Sequence, residues 1–157
     1  MQTFKDLPQE TAIEHCIEMK NIALIGISPL PESASFQDLK GMLERGYTIH
    51  LVNPKLSNRG IKILGLNVYS SMVEIEDVVE VVNLHIATED VGKWISDLSE
   101  RMERHGDIGA IWFEPNIDPA QYLEDAYDFG WMVITEVCIL SEIKKADAGH
   151  NNVEIRP

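Results

Sequence analysis

A regular alternation of two patterns constrains this chain more than any other feature. Short apolar runs rich in β-branched residues occur at 21–27, 48–52, 78–86, 108–113 and 131–134. Such runs suit strands buried on both faces of a parallel sheet. Between them lie stretches whose apolar residues recur three and four apart, the spacing of a helix that covers a sheet. These predict helices at 8–20, at 35–45, from Thr88 to a stop at Gly106, from Asp118-Pro119 to a stop at Gly130, and at 139–145. Ser35 and Asp38 have the spacing of a capping box, and Asp118-Pro119 is an N-cap followed by proline. Residues 55–66 read as an irregular excursion, followed by a brief extended piece at 68–71 and a helical turn near Ile75.

Strands that alternate with helices in this way give a parallel sheet with right-handed crossovers. The expected fold is therefore α/β: a Rossmann-like three-layer α/β/α domain around a mostly parallel sheet of five or six strands. With 157 residues, one domain is the natural count. It is expected over 1–146, with a polar, loose tail at 147–157.

Composition narrows the function classes. The formal net charge is −13, which repels nucleic acid and anionic membranes. The start of the chain lacks a basic-then-apolar signal pattern, and no apolar run is long enough to span a bilayer. The two cysteines, Cys16 and Cys138, form no close pair, which fits a reducing compartment. A soluble cytoplasmic protein is the expectation. Five of the thirteen basic residues, Lys40, Arg45, Lys55, Arg59 and Lys62, fall in one short stretch suited to a small anionic ligand.

On an open parallel sheet, ligands bind beyond the C-terminal strand ends, where the strand order reverses. After the first strand comes Gly26-Ile27-Ser28-Pro29, a fragment of a glycine-rich phosphate loop. Its first glycine and the following helix N-terminus suit an anion, with Ser28, Ser33 and Ser35 as hydroxyl donors. A structural glycine in a tight turn explains Gly26 equally well. After the second strand, where NAD-binding domains place a ribose-binding carboxylate, stands Asn53-Pro54-Lys55. A lysine there favours a ribose bearing an extra phosphate, as in coenzyme A or NADP, with Arg59 or Lys62 as helpers. His85, Ile86, Ala87 and Thr88 border the same rim. The five histidines lack metal-ligand spacing, and each reads as a structural residue. Glu114 ends a strand, with no partner carboxylate or nucleophile evident in the sequence. Trp112 and Phe113 read as core, and Cys138 as a small buried hydrophobe. No catalytic residue and no metal ligand is assigned.

Taken together, several segments resemble the small stand-alone CoA-binding domain proteins. The segments are Ile25-Gly26-Ile27-Ser28-Pro29, Ser35-Phe36, Val52-Asn53-Pro54-Lys55, Val68-Tyr69-Ser70-Ser71, Thr88-Glu89-Asp90-Val91, Trp112 and Cys138-Ile139. That family is related to the N-terminal domain of the succinyl-CoA synthetase α-subunit, and the resemblance runs from about Asn21 to Lys145. It implies a Rossmann-like sheet that binds coenzyme A. Carried over by position, Gly26, Ile27, Ser28, Pro29, Ser35 and Phe36 would hold the diphosphate. Asn53, Pro54 and Lys55 would border the adenosine and its 3′-phosphate, and Ile86 and Ala87 would flank the pantetheine.

The chain departs from the family at Glu32, where many relatives carry a base, and after Phe113, where Glu114-Pro115-Asn116 replaces a Gln-Glu-Gly segment. The phosphohistidine segment of the synthetase is absent, so synthetase activity does not carry over. The leading expectation is a CoA or acyl-CoA binding protein, a non-catalytic carrier, sensor or regulatory module with a protein partner or second copy left open. The alternatives are an NAD(P)-dependent oxidoreductase or redox sensor, and a protein-interaction domain that has lost its ligand.

Overall fold

The computed structural model describes residues 4–155, with side chains through Gly149. Six parallel strands form one sheet in the order β3-β2-β1-β4-β5-β6. They are β1 (Asn21–Ile25), β2 (Thr48–Val52), β3 (Val68–Tyr69), β4 (Val81–Leu84), β5 (Ala110–Phe113) and β6 (Met132–Ile134). The helices are α1 (Gln9–Glu18), α2 (Ala34–Glu44), α3 (Pro54–Ser57), α4 (Val91–Arg104), α5 (Leu123–Asp128) and α6 (Ile139–Ile155). The strand order reverses between β1 and β4, so the fold is the Rossmann-like one expected, with the short extended piece as its sixth strand.

Side-chain alternation explains why the apolar runs are continuous. Ile22 and Leu24 of β1 point into a core with Ala12 and Cys16 of α1, Leu39 and Met42 of α2, and Ile139 and Ile143 of α6. Ala23 and Ile25 point the opposite way, to Val91, Trp94, Ile95 and Leu98 of α4 and Ala126 of α5. A strand with a helical layer on each face has no polar side, which is the signature of a central parallel strand.

Several local expectations differ from the structure. The helices expected from Thr88 and from Asp118-Pro119 open instead with 3-10 turns, Thr88–Asp90 and Ala120–Tyr122, before α4 and α5 begin. Ser33, not Ser35, caps α2, its hydroxyl accepting from Phe36 N at 3.3 Å. Asp38 is therefore no capping-box partner; it turns inward and is 5% exposed. The excursion after β2 begins with a helical turn, α3, capped by Asn53 Oδ1 accepting from Lys55 N at 3.0 Å with Pro54 at the first helical position. Finally, the last helix does not stop near Lys145 but continues as α6 to Ile155. Ala146 and Ala148 propagate a helix well. Arg45, the residue that ends α2, also holds Asp147 at 2.9 Å, which docks the segment expected to be loose. The end of that expected tail, 156–157, lies outside the described residues.

Candidate functional site

The rim above the reversal point is assembled from the ends of β1, β2 and β4. Gly26 closes β1 with φ +93°, and a Cβ built there would lie 2.0 Å from the carbonyl oxygen of His85. Close passage of the β1 and β4 ends thus demands glycine through packing alone. Six of the eleven residues expected to bind ligand, Gly26, Asn53, Pro54, Lys55, Ile86 and Ala87, line one recess of about 290 Å³. His85, Asp90, Lys93 and Trp94 complete it. A second recess of about 310 Å³ shares Pro54, Lys93 and Trp94 with the first and reaches Ser70 and Ser71.

The other five expected residues do not line this recess. Ile27 is fully buried in the core, and its carbonyl accepts from Asn53 Nδ2 at 2.8 Å. Phe36 packs against that same core. Ser35 Oγ accepts from Ser28 N at 2.9 Å, and Ser28 Oγ from Leu30 N at 3.1 Å. With Phe36 N held by Ser33, three N–H groups of the loop are satisfied by its own serines. An anion at the loop would have to compete with those hydroxyls or share their donors.

The electrostatics of the recess come from two lysines. Lys55 and Lys93 are both exposed at its edge, with Asp90 as the acidic counterpart. Lys93 lies 5.6 Å from the centroid of the Trp94 ring. Lys93 escaped the sequence reading, although its place one residue before the buried Trp94 puts it beside the core stripe of α4. The basic stretch does not converge as expected. Arg45 turns to Asp147 and Gly41 O, and Arg59 and Lys62 are not among the residues lining the recess. Glu32 is exposed on the loop and likewise does not line it.

Beside the recess lies a polar cluster that spacing along the chain did not reveal. His85 Nε2 is 3.2 Å from Asp38 Oδ2 and 2.9 Å from Asn83 Oδ1. Asn83 Nδ2 donates to Glu114 Oε2 at 2.9 Å, and Ile139 N donates to the same oxygen at 3.0 Å. Cys138 Sγ lies 3.5 and 3.7 Å from the two carboxylate oxygens of Asp38. Glu114, for which no partner carboxylate or nucleophile is evident in the sequence, is thus held by Asn83 and Ile139 near Asp38 and His85. The fold gathers the ends of α2, β4, β5 and α6 at one end of the sheet, whereas Asp38, His85, Glu114 and Cys138 are spread over a hundred residues of sequence. Burial pushes the Glu114 carboxyl above the usual carboxylate range, which His85 and its hydrogen bonds only partly offset. Burial also pushes the Cys138 thiol up, with the Glu114 and Asp38 carboxylates adding to the shift.

A larger recess of about 640 Å³ lies beyond β5 and β6. Two of its lining residues, Asn116 (φ 74°) and Glu136 (φ 68°), have left-handed backbone. Among the described residues, no helix is long and apolar enough to cross a membrane.

Comparison with known proteins adds a family. Residues 20–144 match the family model described as a CoA binding domain. An uncharacterised Bacillus subtilis protein, YneT, is 26% identical over 133 residues, which is 84% of this chain and 92% of that protein. A hypothetical protein from Pyrococcus horikoshii superposes with a TM-score of 0.77 at 26% identity, covering 92% of this chain and 96% of the other. A dinucleotide-forming acetyl-coenzyme A synthetase from Candidatus Korarchaeum cryptofilum, solved with phosphate and ADP, superposes with a TM-score of 0.61 at 18% identity. That match covers 79% of this chain and 27% of the synthetase, and it speaks to the fold.

Proposed function

The chain belongs to the CoA-binding domain family, and we propose that it holds coenzyme A or an acyl-CoA in the recess above β1, β2 and β4 as a carrier, sensor or regulatory module. One observation carries this reading: Gly26, Asn53-Pro54-Lys55 and Ile86-Ala87, distant in sequence, line a single recess edged by two lysines. In a chain of net charge −13, a paired cationic rim is where an anion is held. Lys55, just past β2, meets the phosphate on the adenosine ribose, and Lys93 supports it from α4. The groove formed with the second recess takes the length of the ligand. Ile86 and Ala87 supply the apolar wall for the pantetheine, while Gly26 and the serine-rich loop approach the diphosphate.

Calorimetric titration with CoA and with 3′-dephospho-CoA tests the assignment. Loss of the phosphate, or Lys55→Ala, is expected to weaken binding roughly tenfold, about 1.4 kcal/mol. Equal affinity for both nucleotides would remove Lys55 from the site, and binding of neither would remove the ligand. Tighter binding of NADPH than of CoA would favour the dinucleotide reading.

A further inference from the structure

Asp38, His85 and Glu114 place two carboxylates and an imidazole with donor atoms all within 4.8 Å of one another. Asp38 and Glu114 are 5% and 6% exposed, and the His85 side chain is 9% exposed. Two ionised carboxylates buried this close repel, and a cation between them relieves that repulsion. Among the described residues, no lysine or arginine pairs with either of them, and His85 is the one cationic candidate. The sulfur of Cys138 lies outside that group but 3.5 Å from Asp38 Oδ1, near enough to swing in as a fourth donor. We propose that Asp38, His85, Glu114 and Cys138 form a site for one divalent transition-metal ion of the zinc class.

The donor set is mixed oxygen, nitrogen and sulfur, which zinc accepts and magnesium or calcium does not. The edges already formed have the right size. In a tetrahedron around zinc, oxygen and nitrogen donors stand about 3.3 Å apart and oxygen and sulfur about 3.5 Å. Here the His85–Asp38 edge is 3.2 Å and the Cys138–Asp38 edge 3.5 Å. The Asp38, His85 and Glu114 donors need close from at most 4.8 Å, and Cys138 has the furthest to move. Asn83 and Ile139 N aim the Glu114 carboxylate from behind, the role that outer hydrogen bonds play at metal centres. Cys138 loses its thiol proton to solvent as the metal binds, while His85 Nε2 gives up its contact with Asn83 Oδ1 and coordinates as the neutral imidazole protonated on Nδ1. His85 also lines the ligand recess, so the ion would stand directly behind its wall.

Metal retention, measured without nucleotide, tests this independently of the CoA reading. Tag-free protein equilibrated with zinc and then gel-filtered should carry about one equivalent, and its melting temperature should rise with zinc. Substitution of cobalt(II) should give intense visible bands of four-coordinate geometry and a near-ultraviolet thiolate band. The thiolate band should vanish in Cys138→Ser while the visible bands persist. The near-isosteric Asp38→Asn and Glu114→Gln should each weaken zinc retention roughly tenfold or more, with their metal-free melting curves showing that they fold. Absence of retained zinc and of cobalt bands in the wild-type protein would overturn the proposal. So would full zinc retention by both carboxylate variants, which would place the metal elsewhere.

Discussion

At Gly26, two backbones meet with no room for a methyl group, and the φ of +93° is one that L side chains rarely adopt. Both penalties fall on Gly26→Ala, which should destabilise the fold by about 3 kcal/mol in a urea melt. At Gly46 the φ is equally positive but nothing lies within 4 Å. Gly46→Ala should cost only about 1 kcal/mol. Equal losses at the two positions would mean that contact with His85 is not what fixes Gly26. His50 makes a different kind of demand. It is 8% exposed, its Nε2 meets no hydrogen-bond partner among the described residues, and burial holds its pKa below the ordinary histidine value. The unfolded chain therefore takes up a proton first, and stability should fall as pH drops below about 6.5. Asp107 titrates lower. Burial alone would raise its carboxyl, but hydrogen bonds from Arg101 and Val79 N outweigh that and hold it below the usual range. Its contribution is present above about pH 4 and is lost as pH falls through the lowered value. Because the raised Glu114 carboxyl works in the opposite sense over part of this range, the clean readout is a difference: the stability gap between His50→Gln and the wild type should shift in favour of the variant as pH falls from 8 to 5. A gap that does not change with pH would contradict the role given to His50.

At the scale of elements, α4 is where the sequence was read least completely. Its apolar stripe was legible from spacing, but Arg101 interrupts that stripe and is fully buried. The guanidinium donates to the carbonyls of Met72, Ile75 and Asp77 and to Asp107 at 2.7 Å, tying the connection before β4 to the helix. No local pattern announces a cation that satisfies carbonyls twenty-five residues away. Arg101→Ala leaves those carbonyls and Asp107 without their donor and should cost roughly 3–5 kcal/mol. Arg101→Lys should recover little of this, because an ammonium cannot reproduce the planar fork. Full recovery by lysine, measured by thermal or chemical denaturation, would reduce the role of Arg101 to charge alone. The start of α2 offers the converse lesson. Capping-box spacing points to Ser35, but its hydroxyl accepts from Ser28 N while Ser33 takes Phe36 N, and Asp38 turns inward toward His85.

For the whole molecule, strand and helix order were legible because each central strand is apolar on both faces and each helix on one. The sixth strand, β3, was seen only as a brief extended piece, since two residues carry no periodicity. The recess was half legible. Strand-end residues Gly26, Asn53, Lys55 and Ile86 follow from topology, whereas Lys93 and the Asp38–His85–Glu114 cluster arise from packing between elements. The central claim is that coenzyme A occupies the recess above β1, β2 and β4 rather than the larger one beyond β5 and β6. Amide chemical-shift mapping during a CoA titration addresses it most directly. The account predicts the largest changes at Gly26, Asn53, Lys55, Ile86, Ala87 and Lys93, with Asn116, Ile117, Thr135 and Glu136 nearly unmoved. Shifts concentrated at the latter four, or no shifts at saturating CoA, would contradict it.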